Sequence, residues 1–270
     1  MHPKYEIYEN MDLIKEIVDR TRADVQKRKA RVPQDAFKVD REAREALSLI
    51  AAIEAKREEG KNAIISEIKP ASPSLGSIRT VDPRQAALDM EAGGACAISV
   101  LTEPHYFSGS IESLEAVRKA VDIPILRKDF IVDEYQLYEA KHHGADAVLL
   151  MVSVLGDQVK SFLEAAHSLG LEALVEAHDE AELGLAVESG AKLIGINNRN
   201  LKDLKVDLAT TGRLAPRVPE GRTIVSESGV KTPEDLKTVL SYGAHAALVG
   251  SSIMRAPDVR TAVAALVGGA

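Results

Sequence analysis

Tryptophan is absent from this chain, and cysteine occurs once. A lone Cys96 rules out an intramolecular disulfide framework and any cysteine-rich metal site. It stands just before the apolar run Ala97 to Val100, so it is expected to be a buried structural thiol rather than a nucleophile. No apolar stretch approaches the length of a membrane span, and Met1 to Asn10 is polar, without the apolar centre of a secretory signal. No membrane partner and a cytoplasmic location are therefore expected. Net charge is −7 with no basic stripe, which argues against nucleic acid as a partner but leaves a small anionic substrate open, because local groups decide that. His142 and His143 sit where a helix C-terminus favours histidine, and His167, His178 and His245 lack metal-ligand spacing, so no metal is assigned. There is no G-x-S-x-G elbow, so Ser228 is better placed to donate a hydrogen bond than to act as a nucleophile.

What is present is ample core material, 45% apolar residues with 28% charged, in a chain of 270 residues. Eight short apolar runs recur: Ala63 to Glu67, Ala97 to Val100, Pro124 to Leu126, Ala147 to Met151, Ala173 to Val175, Leu193 to Ile196, Thr223 to Val225 and Ala246 to Val249. Nearly continuous in apolar residues, they suit parallel strands buried on both faces. Between them lie helices with clear punctuation. Asp82-Pro83 and Thr232-Pro233 mark helix starts, and Asp179 with Glu182 resembles a capping box. Gly-Ala recurs at 94, 144, 190 and 243, each time between a helix and the next strand. Ahead of the first strand, Leu13, Ile14, Ile17, Val18, Thr21 and Val25 repeat at helix spacing, Pro33 interrupts, and a second helix is expected from about Arg41 to Glu59. The expectation is an α/β fold: a (β/α)8 TIM barrel, one domain over 1–270, in which 1–62 is an N-terminal helical extension. The competing doubly wound sheet is disfavoured because no G-x-G-x-x-G follows the first run.

Most runs end in polar, charged or glycine residues: Glu67 and Lys69, Thr102, Lys128, Ser153, Glu176, Asn197 and Arg199, Glu227 and Ser228, Gly250 and Ser251. In a barrel these C-terminal ends share one mouth, and the last two βα loops often hold a phosphate. Gly229 follows the seventh run, and Gly250-Ser251-Ser252 follows the eighth and leads into a short helical turn whose free N–H groups suit an anion. Ser72 is placed to close the ring. Two lysines, Lys69 and Lys128, converge with Glu67, Glu176 and Glu227, a crowding expected to lower a lysine toward working pH as a general acid. A network of structural ion pairs is the plainer account of the same residues.

The segments Glu67-Ile68-Lys69-Pro70-Ala71-Ser72-Pro73-Ser74, Lys128-Asp129-Phe130-Ile131, Leu174-Val175-Glu176, Gly195-Ile196-Asn197-Asn198-Arg199-Asn200-Leu201, Ser226-Glu227-Ser228-Gly229 and Gly250-Ser251-Ser252 closely resemble the indole-3-glycerol phosphate synthases. The likeness runs from Ala63 to about Met254, and the long helical prelude resembles the extension that family places over the barrel mouth. Where the family often carries lysine, this chain has Pro70 and Leu75, leaving its first βα loop less positive.

The resemblance implies a phosphorylated small-molecule substrate, 1-(2-carboxyphenylamino)-1-deoxyribulose 5-phosphate, and its conversion to indole-3-glycerol phosphate, carbon dioxide and water, with no organic cofactor. It implies Lys128 as general acid for ring closure and Lys69 with Glu176 as the acid and base of dehydration, the division between them left open. Glu67 would orient Lys69; Asn197, Glu227 and Ser228 would position the substrate. Arg199 would brace these carboxylates or contribute to binding. Phe107 and Phe130 would wall the anthranilate ring or simply pack. Two rival functions are an aldose–ketose isomerase of sugar phosphates on the same barrel and a non-catalytic phosphometabolite-binding barrel. The isomerase would want an acid and a base at the ends of the first and seventh strands rather than the Lys69, Lys128 and Glu176 set, and Lys128 separates a binding barrel from an enzyme, since mere binding does not require a lysine positioned for proton transfer.

Overall fold

The computed structural model describes residues 11–37, 39 and 46–268; the polar segment Met1 to Asn10 and the expected helix start near Arg41 lie outside them. Eight parallel strands close into a barrel. They are β1 (Ala63–Ile68), β2 (Ala97–Leu101), β3 (Ile125–Lys128), β4 (Ala147–Met151), β5 (Glu172–Ala177), β6 (Leu193–Asn197), β7 (Thr223–Glu227) and β8 (Ala246–Val249). Closure pairs β1 with β8, Ala63 opposite Ala246. Each expected run holds its strand, and six of the strands extend one or two residues beyond the expected run.

Strand alternation sorts side chains into two layers. One set packs outward against the surrounding helices, for example Ile64, Ile98, Val148, Val175 and Ile194. The other fills the barrel, with Ile65, Leu126, Leu149, Leu174, Leu193, Val225 and Leu248. Two residues further along five of these inward rows the chemistry changes: Ile65 is followed by Glu67, Leu126 by Lys128, Leu174 by Glu176, Val225 by Glu227 and Leu248 by Gly250, whereas Leu149 is followed by Met151. The rigid apolar layer therefore sets the height of the polar one.

Helix ends follow the expected chemistry with one change. Thr232 and Asp235 form a reciprocal capping box on Pro233–Ser241, and Gly144 (φ 90°) and Gly243 (φ 103°) take the left-handed conformation that lets a helix turn back into a strand. Asp179 accepts from Glu182 N, but the Glu182 carboxylate returns to the backbone N–H of His178, one residue earlier than a capping box requires, because it also receives the His178 ring.

The two helices of the extension go to opposite ends of the barrel. Helix α1 (Met11–Arg31) lies over the mouth, burying Ile17, Val18, Thr21 and Val25, and is pinned by Arg28 to Glu139 (2.9 Å) and Lys29 to Asp133 (2.6 Å). Helix α2 (Leu49–Glu58) instead closes the far end: Ser48 Oγ donates to Glu172 Oε1 (2.6 Å), and Leu49 N and Ile50 N donate to Glu172 Oε2 (2.8 and 3.1 Å), at the first residue of β5. Residues 46–48 are not helical, so the helix starts at Leu49, later than its sequence suggests. A carboxylate at this N-terminus satisfies free N–H groups and complements the helix dipole.

Candidate active site

The mouth holds one continuous cleft with two unlike ends. The first, about 850 Å³ and open to solvent, is walled by Leu13, Ile14 and Ile17 of α1 with Phe107, Phe130 and Met151. The second, about 1320 Å³, is lined by Ser228, Gly229, Gly250, Ser251, Ser252, Lys231 and Arg255. Glu67, Lys69, Lys128, Arg199, Ser228 and Ser251 line both, so the charged groups stand at the junction.

At that junction Lys128 Nζ is 3.2 Å from Glu176 Oε2 and 3.2 Å from Glu227 Oε2. Lys69 Nζ is 2.8 Å from Glu67 Oε1 and 6.0 Å from the centre of the Phe107 ring. The expectation that crowding lowers a lysine's pKa fails for Lys128. Burial does pull its pKa down, but the charges of Glu176, Glu227 and Glu67 outweigh that, and the net shift is upward. The two glutamates facing it divide. Burial and the neighbouring negative charge of Glu176 push Glu227 up. Burial acts on Glu176 in the same sense but is overcome by Lys128 and His178, so Glu176 moves down and stays ionised. Both Glu227 carboxylate oxygens and Glu176 Oε1 are buried without a hydrogen bond of good geometry.

Close packing holds these carboxylates in place. A Cβ on Gly195 would stand 2.1 Å from Glu227 Oε1, and one on Gly250 2.5 Å from Glu67 Oε1. Ser228 sits in the left-handed region (φ 63°). Asn198 secures it, its amide nitrogen donating to Ser226 Oγ, Glu227 O and Ser228 O while Thr211 donates to its oxygen. Asn197 Oδ1 accepts from Arg199 N (3.0 Å), and Arg199 Nη1 donates to Leu204 O (2.9 Å), so this arginine is held by its own loop.

Most residues expected at the site meet here. Phe107 and Phe130 face each other at 6.1 Å in the apolar end. Ser72 lies in that end too, away from the Gly229 and Gly250 loops, whereas Ser74 lines both. Thr102 and Ser153 are outside the cleft: Thr102 points away from the barrel axis and donates to Asp129 Oδ2 (2.7 Å), and Ser153 is exposed in a short helix, Val152–Leu155. Cys96 is buried, its thiol pushed up to about 12 by burial, donating to Ile64 O. Among the described residues no group of three or more His, Cys, Asp or Glu is disposed to hold a metal ion, and no helix is long and apolar enough to cross a membrane.

A family model described as indole-3-glycerol phosphate synthase matches residues 14–266. The chain belongs to the indole-3-glycerol phosphate synthase family. It is 51% identical over 261 residues to the indole-3-glycerol phosphate synthase of Streptomyces griseus, covering 95% of each chain. To that of Methanocaldococcus jannaschii it is 50% identical over 232 residues, covering 85% of this chain and 86% of the other. A solved thiamine phosphate pyrophosphorylase from Pyrococcus furiosus shares the fold alone, with TM-score 0.58 and 20% identity over 76% of this chain and 93% of its own. Within the synthase family's motifs, Leu75 is 44% exposed at the rim of the polar end, where the expected lysine would have added charge. Two members of this synthase-type site lie outside the expected set. His178 has no metal-ligand spacing, and its signal in the sequence is the i, i+2 relation to Glu176 just past the end of β5. Asn198 shows in the sequence only as part of a motif.

Proposed function

We propose that this cleft closes, decarboxylates and dehydrates 1-(2-carboxyphenylamino)-1-deoxyribulose 5-phosphate, with Lys128 as the proton donor for ring closure. The chain is an indole-3-glycerol phosphate synthase of tryptophan biosynthesis, a decarboxylating lyase. The observation that carries the residue roles is the single ammonium of Lys128 set between two carboxylates where an aromatic-lined end meets a glycine and serine end. The anthranilate ring fits the apolar end beside Phe107 and Phe130, and the phosphate fits the Ser228-Gly229 and Gly250-Ser251 loops, whose backbone N–H groups suit an anion. The ketone then lies at Lys128. As the aromatic carbon attacks, negative charge grows on the ketone oxygen, and an ammonium kept protonated by its neighbours delivers the proton there. Loss of carbon dioxide restores the ring. For dehydration, Glu176, held ionised, suits the base that takes the carbon-bound proton, which leaves Lys69 to protonate the departing hydroxyl. Glu67 orients Lys69; Asn197 and Ser228 position the substrate; Glu227 and Arg199 brace the junction.

We also read the chain as one domain with 1–62 as its extension, acting in the cytoplasm on a small phosphorylated molecule rather than on nucleic acid. Indole fluorescence appearing when purified protein meets the substrate tests the reading, against a background free of protein tryptophan. Lys128→Ala is expected to lose about 10²-fold or more in kcat while still binding substrate. A wild type that folds and binds phosphate yet gives no signal would favour the isomerase or the non-catalytic barrel.

A further inference from the structure

Lys128 Nζ lies 3.2 Å from both Glu176 Oε2 and Glu227 Oε2, and it donates a hydrogen bond of good geometry to Glu176 only. A second difference, independent of the ammonium, lies behind Glu176. His178 Nε2 is 3.3 Å from Glu176 Oε1, on the side away from Lys128, and His178 Nδ1 is 2.9 Å from Glu182 Oε2. That same Glu182 oxygen accepts the backbone N–H of His178 at 2.9 Å. An ionised carboxylate only accepts, so Nδ1 carries a hydrogen and the ring is turned to present Nε2 to Glu176. Glu182 is itself aimed by the first turn of the helix Glu180–Glu188, which explains the displaced capping box. The contact of His178 with Glu176 is an ion-pair contact without hydrogen-bond geometry, and among the described residues Glu227 has no ion-pair partner besides Lys128.

We propose that His178 is a positioning residue: fixed by Glu182, it holds the Glu176 carboxylate from behind and thereby selects Glu176 rather than Glu227 as the group that collects the substrate's proton. This rests on the reading of Glu176 as the base. The charged groups acting on the ring are Glu182, Glu176 and Glu227, all carboxylates. Burial alone would favour the neutral imidazole; the carboxylates, Glu182 and Glu176 foremost, outweigh it and favour the imidazolium. A cation beside one carboxylate of the pair stabilises the ionised form on that side. Asn197 adds a neutral group that favours the ionised form of Glu176.

The test is the pH dependence of kcat for wild type, His178→Gln, Glu182→Gln and Glu176→Gln. His178→Gln keeps a hydrogen-bond donor and removes the positive charge. Its acid limb, where Glu176 takes up a proton, is expected to move up by about one pH unit with KM little changed. Glu182→Gln is expected to shift it in the same direction by less. In the Glu176→Gln/His178→Gln double variant the residual activity should show no further shift. A limb for His178→Gln superimposed on that of wild type, with Glu176→Gln inactive, would overturn the role of His178 and leave Glu176 as base intact. Full activity in Glu176→Gln would overturn the base assignment itself. ¹⁵N NMR of the wild-type ring gives a check independent of any variant's folding: both Nδ1 and Nε2 should remain protonated through neutral pH, and an unprotonated Nε2 would sink the proposal.

Discussion

A single side chain at the mouth owes its behaviour to groups far away in sequence. Lys128 is flanked by Glu176, 48 residues on, and by Glu227 from a third strand. That is why its proton affinity could not be read from order alone: the lysine and glutamate types were visible, but not that three carboxylates act on this one ammonium. Gly195 stands two residues before Asn197 on the same inward row, and its closeness to Glu227 is likewise a matter of the fold. With its Cβ placed 2.1 Å from Glu227 Oε1, Gly195→Ala must displace that carboxylate. We expect kcat to fall about 10²-fold, as for an ångström-scale misplacement of a reacting group, and stability to drop by about 1–3 kcal/mol from overpacking. Steady-state kinetics and thermal melting measure both. Gly184→Ala, with nothing within 4 Å of its Cβ, is the control and should stabilise its helix by about 0.5–1 kcal/mol without touching kcat.

Elements were legible where one face alone decides them. The eight strands declared themselves through short apolar runs, and their polar ends through alternation, because Leu126 to Lys128 or Leu174 to Glu176 is one step along one row. Helix α2 was less so. Its start at Leu49 is set by Glu172, more than 120 residues away, and the same carboxylate sends it to the end of the barrel opposite α1. Neither fact is encoded near Arg41. Glu172→Gln replaces one acceptor oxygen with an amide NH2 group that faces donors and removes a charge from the helix N-terminus. A loss of about 1–2 kcal/mol in unfolding free energy is expected by denaturant titration. Because α2 lies across the barrel from the lysines, kcat should stay within twofold or so of wild type. A large fall in kcat with unchanged stability would mean that β5 transmits the disturbance to Glu176.

Across the whole molecule, the buried charges at the mouth make folding stability depend on pH in a definite sense. Below about 4.5, the ordinary glutamate value, Glu227 is protonated folded or unfolded. As pH rises past it, the unfolded chain releases that proton and the folded chain, its carboxyl pushed up by burial, keeps it. The folded state then binds more protons, so this group lowers stability with rising pH through neutrality. Glu176 works in the other direction and in another window. Its carboxylate is still ionised in the folded state below 4.5, so its contribution is present above that value and is lost as pH falls further. Lys128 keeps its proton above 10.5, and its contribution disappears only in strongly alkaline solution. Glu227→Gln isolates the first effect, since an amide does not titrate and, like the protonated carboxyl it replaces, carries no charge beside Lys128. The melting temperature of the variant minus that of wild type should therefore rise between about pH 5 and about pH 8, by ~2 °C or more for a chain of this size. A difference that stays flat would mean that the folded protein keeps Glu227 ionised, and with it that the two carboxylates facing Lys128 do not divide one proton between them.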